Sequence, residues 1–199
     1  MKILHVGAHG TIGSQVAEEL RKRHEVICAG RTSGDCNVNI ESSQSIEELF
    51  DQVGKVDAIL STAGQAKWDF LNSLSEEDFQ FSIRSKLMGQ VNLVRIGKEF
   101  LNDRGSVTLT TGILADEPVE MTAAAALVNG GIHSFVKAAS LELTRDLRVN
   151  AVAVGLVEAS ADKYRSYFPG YNPVPMSKVV NAYLRAIEGR MNGMVIREY

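Results

Sequence analysis

Seven residues near the start of the chain, Gly7-Ala8-His9-Gly10-Thr11-Ile12-Gly13, have the types and spacing of an anion-binding turn. Glycines so spaced remove Cβ atoms where a backbone must bend sharply and where a pyrophosphate must come close. The apolar run Ile3 to Val6 enters the turn and an amphipathic segment from Ser14 to Lys22 leaves it, so the order is strand, turn, helix. The helix N-terminus then offers free N–H groups and the positive end of its dipole. In this setting the motif predicts a dinucleotide held by Gly7, Gly10, Thr11, Ile12 and Gly13.

A second candidate follows the next apolar run, Glu25 to Ala29, where the chain reads Gly30-Arg31-Thr32-Ser33-Gly34. At this point of a doubly wound fold a carboxylate bonds the ribose 2′-OH of NAD, whereas an arginine accommodates the 2′-phosphate of NADP. The stretch has no acid. A guanidinium grips phosphate through paired charge-assisted bonds, and the hydroxyl of Thr32 adds a donor. Arg31 and Thr32 therefore predict NADP(H) in preference to NAD. Cys28 and Cys36 have neither a CxxC spacing nor neighbouring histidines, which predicts no metal site and no disulfide framework.

Positioning these residues requires alternating strands and helices. Strands are expected at Ile3–Val6, Glu25–Ala29, Val56–Ser61, Gly105–Thr111 and Arg148–Val154, with a short extended piece at Asn37–Ile40 and a last strand near Met194. Between them come a helix opened by Ser45 and Glu48, a long helix from Ser75 to about Leu101 with Ser75 and Asp78 as its capping box, and another from Thr122 to Leu143. Residues 155–175 read as an irregular aromatic loop before a helix near Ser177 to Glu188. The alternation predicts an α/β fold, a doubly wound parallel sheet with helices on both faces.

The 199 residues, 45% hydrophobic and 23% charged, suit one domain spanning 1–199. A net charge of −3 gives no basic excess for nucleic acid or an anionic membrane. No run reaches the length of a membrane span and the first residues lack a signal-like apolar stretch, so a cytoplasmic protein is expected.

Several motifs in register resemble the short-chain dehydrogenases/reductases, over nearly the whole chain. Thr62-Ala63-Gly64 looks like the end of that family's NNAG element, Arg148-Val149-Asn150-Ala151-Val152 like its RVNAV strand, and Val154-Gly155 stands where it has Pro-Gly. The resemblance implies a Rossmann sheet of about seven strands, Ala63 and Gly64 beside the cofactor, a small-molecule substrate, and homo-oligomers (dimer or tetramer) built on the two long helices.

It also exposes a departure. The family uses a tyrosine acid/base four residues before a lysine, a serine hydroxyl, and an asparagine on the preceding long helix. Aligning on the RVNAV strand puts Ala125 in the tyrosine place, Asn129 in the lysine place and Lys86 in the asparagine place, while Thr111 is the candidate for the serine hydroxyl. Lys86 lies near the apolar stripe of its helix, where an unpaired ammonium is costly. Asn129 would face it, as if lysine and asparagine had exchanged helices; the alternative is Lys86 reaching to solvent along the helix. His133, one turn beyond Asn129, and Tyr164, Tyr167 and Tyr171 are further proton donors by type, though such residues more often pack or cover a pocket, as does Trp68. Two functions follow: an NADP(H)-dependent oxidoreductase acting on a small carbonyl or alcohol through Thr111, Lys86 and Asn129, or an NADP(H)-binding sensor that has lost catalysis.

Overall fold

Valine-, isoleucine- and alanine-rich runs form the strands because a parallel sheet covered on both faces buries every second and every intervening side chain alike. In the computed structural model, which describes residues 1–199, these are β1 (Lys2–Val6), β2 (Glu25–Gly30), β3 (Cys36–Asn37), β4 (Val56–Ser61), β5 (Leu101–Gly112), β6 (Arg148–Val154) and β7 (Val195–Glu198). All pair in parallel, in the order β3-β2-β1-β4-β5-β6-β7. The helices are α1 (Thr11–Arg21), α2 (Ser43–Val53), α3 (Glu76–Ser82), α4 (Gly89–Gly97), α5 (Ala123–Glu142), α6 (Ala161–Tyr164) and α7 (Met176–Glu188).

Two cores sandwich the sheet. On one face Phe50 of α2, Leu93 of α4 and Val136 of α5 pack over Leu4, Val107 and Val149. On the other, Val16 and Leu20 of α1 and Tyr183 of α7 pack over Ile3, Leu60 and Val152. A smaller cluster around Ile113, Ala125, Leu156 and Phe168 lies beyond the carboxyl ends of β5 and β6.

Three expectations are corrected. The long helix is interrupted: α3 runs into a π-helical stretch, Ile83–Met88, before α4, and the chain then makes a 3-10 turn at Lys98–Phe100. β5 begins earlier than Gly105, since Leu101 already pairs with Val56, and a register shift separates that pair from the regular pairing that starts at Ser106 and Ala58. The helix assigned to Ser45 and Glu48 is capped instead by Ser42, whose Oγ accepts the Ser45 N–H at 3.2 Å, while Ser45 Oγ accepts from Asn39 N. The Ser75–Asp78 box forms as read, each side chain accepting from the other's backbone N–H.

β1 and β4 are neighbours, and the chain order reverses between them. Ligands of open α/β sheets sit outside the carboxyl ends of the strands at such a switch point. Here those ends carry Gly7 and Thr62-Ala63-Gly64.

Candidate functional site: a glycine cradle and two chambers

Gly7 takes φ of +90° as β1 turns into α1, and a Cβ there would stand 2.8 Å from Ala63 N. Gly13 has no room either, since its Cβ would collide with Gly7 O. Gly10, the N-cap of α1, is different: its Cβ would meet only Gly7 O at 3.5 Å. The turn is therefore packed from behind and open in front, over helix N–H groups that no capping side chain covers. Thr11, Ile12 and Gly13 form that first turn, so α1 begins three residues before the Ser14 expected from the sequence.

The turn is fixed by buried hydrogen bonds. Thr62 Oγ1 donates to Gly7 O at 2.9 Å, and His5 Nε2 lies 3.0 Å from the same hydroxyl. The single hydroxyl proton goes to the carbonyl, so His5 must donate from Nε2, leaving its buried Nδ1 without a partner. Burial first, then the positive charge of Arg21 and His9, pulls the His5 pKa down to about 3. The imidazole is neutral support for the turn.

From Gly7 a cavity of about 210 Å³ extends past Val38 and Ile40, beside Ala63 and Gly64, to Arg31 at its rim. Thr32 is exposed next to it. Arg31 is not free, however: its Nη2 meets Glu41 Oε1 at 2.7 Å and Asn39 Oδ1 at 3.3 Å. An acid is thus present after all, delivered from beyond β3 rather than from the end of β2. The exposed guanidinium remains available for a second acceptor, and Glu41 holds it at the rim. Overall the open front at Gly10, the uncovered N–H groups and the cavity reaching a guanidinium fit a dinucleotide phosphate.

Lys86 lies on the π-helical stretch, which presses against the strand-end turn: a Cβ on Gly64, at φ of +111°, would come within 2.9 Å of Lys86 Cα. π-Helical turns recur at functional sites because they displace one residue from the regular helical face. Gln90, buried in the next turn, ties this helix to the sheet by accepting from Thr110 N at 2.7 Å and donating to Thr110 O at 2.9 Å. Lys86 as a residue is only partly buried, yet no protein hydrogen bond or ion pair reaches its ammonium, and burial alone lowers its pKa to about 8. Asn129 sits opposite on α5; the two segments meet closely, with Leu87 Cδ1 3.1 Å from where a Cβ on Gly131 would be. Asn129 Oδ1 is buried without a partner. Lys86 and Asn129 thus lie on packed elements, each unpartnered, with no hydrogen bond between them.

Thr111, the candidate for the serine hydroxyl, stands near the end of β5. It is buried and turned toward α5, where its Oγ1 lies 2.8 Å from His133 Nε2. Behind the imidazole, Nδ1 is 3.9 Å from Asp116, whose carboxylate is gripped by Arg197 at 3.0 and 3.1 Å and by the Tyr199 hydroxyl. Burial lowers the His133 pKa, with Asp116 opposing. The next residue, Gly112, instead lines an apolar cavity beyond the strand ends. Ala125, in the place of the family tyrosine, is packed into the small cluster beneath it.

Two chambers that share Trp68 and Tyr164 lie beyond the strand ends. The inner, about 230 Å³, is apolar and includes Ile12, Gly112, Gly155 and Leu156; the outer, about 650 Å³, includes Lys67, Phe81 and Lys163. Trp68 and Tyr164 belong to both, as pocket walls. Tyr171 is instead committed to Glu117 at 2.7 Å and packs on Phe168. The sequence reading missed Glu41 and the Thr111–His133 contact. The first has no local signal; for the second, the spacing of His133 one turn from Asn129 was available.

Residues 6–176 match the family model described as enoyl-(acyl carrier protein) reductase. With the glycine turn and the seven-stranded order, this places the chain in the short-chain dehydrogenase/reductase family. Among solved structures it is similar to the protein lin1944 of Listeria innocua, 46% identical over 100% of both chains with a TM-score of 0.98. A small-chain dehydrogenase in complex with NADPH is 28% identical, covering 99% of this chain and 95% of that one, with a TM-score of 0.87. The 3-oxoacyl-[acyl-carrier-protein] reductase FabG of Staphylococcus epidermidis is 28% identical over 120 residues, 59% of this chain, and the match spans only 49% of that protein's length.

Proposed function

We propose that the chain is an NADP(H)-dependent oxidoreductase acting on a small carbonyl or alcohol substrate. The observation that carries this reading is the cradle at Gly10, closed from behind and open in front, continuous with a cavity that ends at Arg31. NADPH in a relative of the same fold supports the choice of cofactor. Gly7, Gly10, Thr11, Ile12 and Gly13 would hold the pyrophosphate, Ala63 and Gly64 the adjoining ribose, and Arg31 with Thr32 the 2′-phosphate. NADPH, when bound, supplies the hydride.

The chain's own residues handle charge. Lys86, with a pKa of about 8, carries a proton at neutral pH that it can lose without great cost, and its unpartnered ammonium favours negative charge developing nearby. Asn129 Oδ1 offers that ammonium an acceptor across the helix interface. Thr111 acts as a positioning residue, holding His133 and through it α5 against the strand end that carries Gly112. The inner chamber presents a mostly apolar lining to the reacting carbon. In the same reading the protein works in the cytoplasm, with no nucleic-acid or membrane partner, and forms a homo-oligomer over its long helices, where Met88 and Leu127 are exposed.

The sensor reading is favoured by one observation: Ala125 and Asn129 stand where the resemblance expects tyrosine and lysine. Calorimetric titration with NADPH and NADH, followed by turnover with aldehydes, ketones and quinones, separates the two. Tight NADPH binding with measurable hydride transfer is expected. Equal affinity for NADH overturns the cofactor assignment, and tight binding without turnover on any substrate transfers the conclusion to a sensor.

A further inference from the structure

We propose that the two chambers take an anionic aromatic carbonyl compound, with its carbonyl in the inner chamber, its ring against Trp68 and Tyr164, and its negative group between Lys67 and Lys163. This deepens the oxidoreductase reading and rests on it for the reacting carbonyl.

The outer chamber contains two cations and no carboxylate, in a chain whose net charge is −3. Lys163 makes no ion pair; its Nζ lies 5.0 Å from the Tyr164 ring centroid. Lys67 has Asp78 Oδ1 at 3.5 Å, a long, exposed pair, while the other oxygen of that carboxylate accepts from the Ser75 hydroxyl and N–H at 2.7 and 3.0 Å. Both lysines are exposed and can turn toward a ligand. A carboxylate between them would give Lys163 the anionic partner it lacks in the protein and offer Lys67 a closer one than Asp78.

The wall is aromatic and angled. Trp68 meets Tyr164 at 5.4 Å and 42° and Tyr167 at 5.8 Å and 83°, leaving ring faces and edges for a planar guest. It is also anchored, since Lys67 N donates to Ser82 Oγ at 3.0 Å and Asp69 N to Met121 O at 3.0 Å. The inner chamber holds no charged side chain, so the reverse orientation would bury the anion among Leu114, Leu156 and Phe168. Only one orientation satisfies both chambers. Reduction there adds a hydride from NADPH to the carbonyl carbon and one proton to its oxygen, giving the alcohol and NADP⁺.

Trp68 is the chain's single tryptophan, so its fluorescence reports this site alone. Full-length protein is titrated with 4-carboxybenzaldehyde, its methyl ester and succinic semialdehyde, with and without saturating NADPH. The aromatic acid should quench Trp68 and bind about tenfold more tightly than either control, and K67Q/K163Q should remove that advantage while NADPH affinity by calorimetry stays unchanged. Equal affinity of acid and ester, or an undiminished acid affinity in the folded double variant, overturns the proposal. If the acid binds as expected but NADPH does not, the site stands and the cofactor reading falls.

Discussion

The half of the site beneath β1 and β4 and the half beneath β5 and α5 are built from different materials. The first is a backbone device: a turn at Gly7, N–H groups at the start of α1, and Thr62 bonded to Gly7 O. The second is a side-chain device: Lys86 without a partner, Asn129 Oδ1 without a partner, and Thr111 turned to His133. Backbone devices constrain residue type strongly, because few residues other than glycine tolerate the conformation or the contact. Side-chain devices can be built by other residues from other elements, so the residue types of the second half are less constrained than those of the cradle.

The largest effect should come from breaking the cradle without breaking the fold. Gly10→Val places its side chain in the open front, where only Gly7 O is near, so NADPH affinity should drop at least about 100-fold with stability within about 1 kcal/mol of the parent. Calorimetry and thermal unfolding together test this; normal NADPH binding by a folded variant would mean that the phosphates lie elsewhere.

Next is the side-chain half. Lys86→Met should lower turnover at least about tenfold, yet raise stability at pH 7 by about 1–2 kcal/mol, since it removes an unpartnered ammonium. The sign follows from the pKa, about 8 in the folded chain against an ordinary 10.5. Between those values the unfolded chain binds more protons, so the parent gains stability as pH rises and the gap to the variant closes. Chemical denaturation at pH 7 and pH 10 measures it, and a gap that stays constant refutes the buried charge.

Thr111→Val sharpens the contrast further. It strands His133 Nε2, which should cost about 1–2 kcal/mol in stability and reduce turnover by about threefold to tenfold. A displaced pH–rate profile marks the positioning role; an unmoved profile leaves Thr111 purely structural.

The smallest change is expected at the exposed rim. Arg31→Ala should reduce the preference for NADPH over NADH by about threefold to tenfold, because a solvent-exposed guanidinium shared with Glu41 contributes little more than that. An unchanged preference would assign the discrimination to other residues.

Residue order alone determined the alternation of strands and helices, the glycine turn, the Ser75–Asp78 cap and the family. These are local patterns, set by period, cap chemistry and missing Cβ atoms within a few residues of one another. The tertiary structure decided the rest. Glu41 reaches Arg31 from ten positions away, Gln90 clasps β5 from the helix across it, and the π-helical stretch brings Lys86 against Gly64. It also turned Thr111 to His133 and left Gly112 at the chamber, a choice that depends on which way one strand residue faces once the sheet is packed. Such outcomes depend on burial and on the pairing of polar groups between distant elements, and those energies exist only after the chain has brought the elements together.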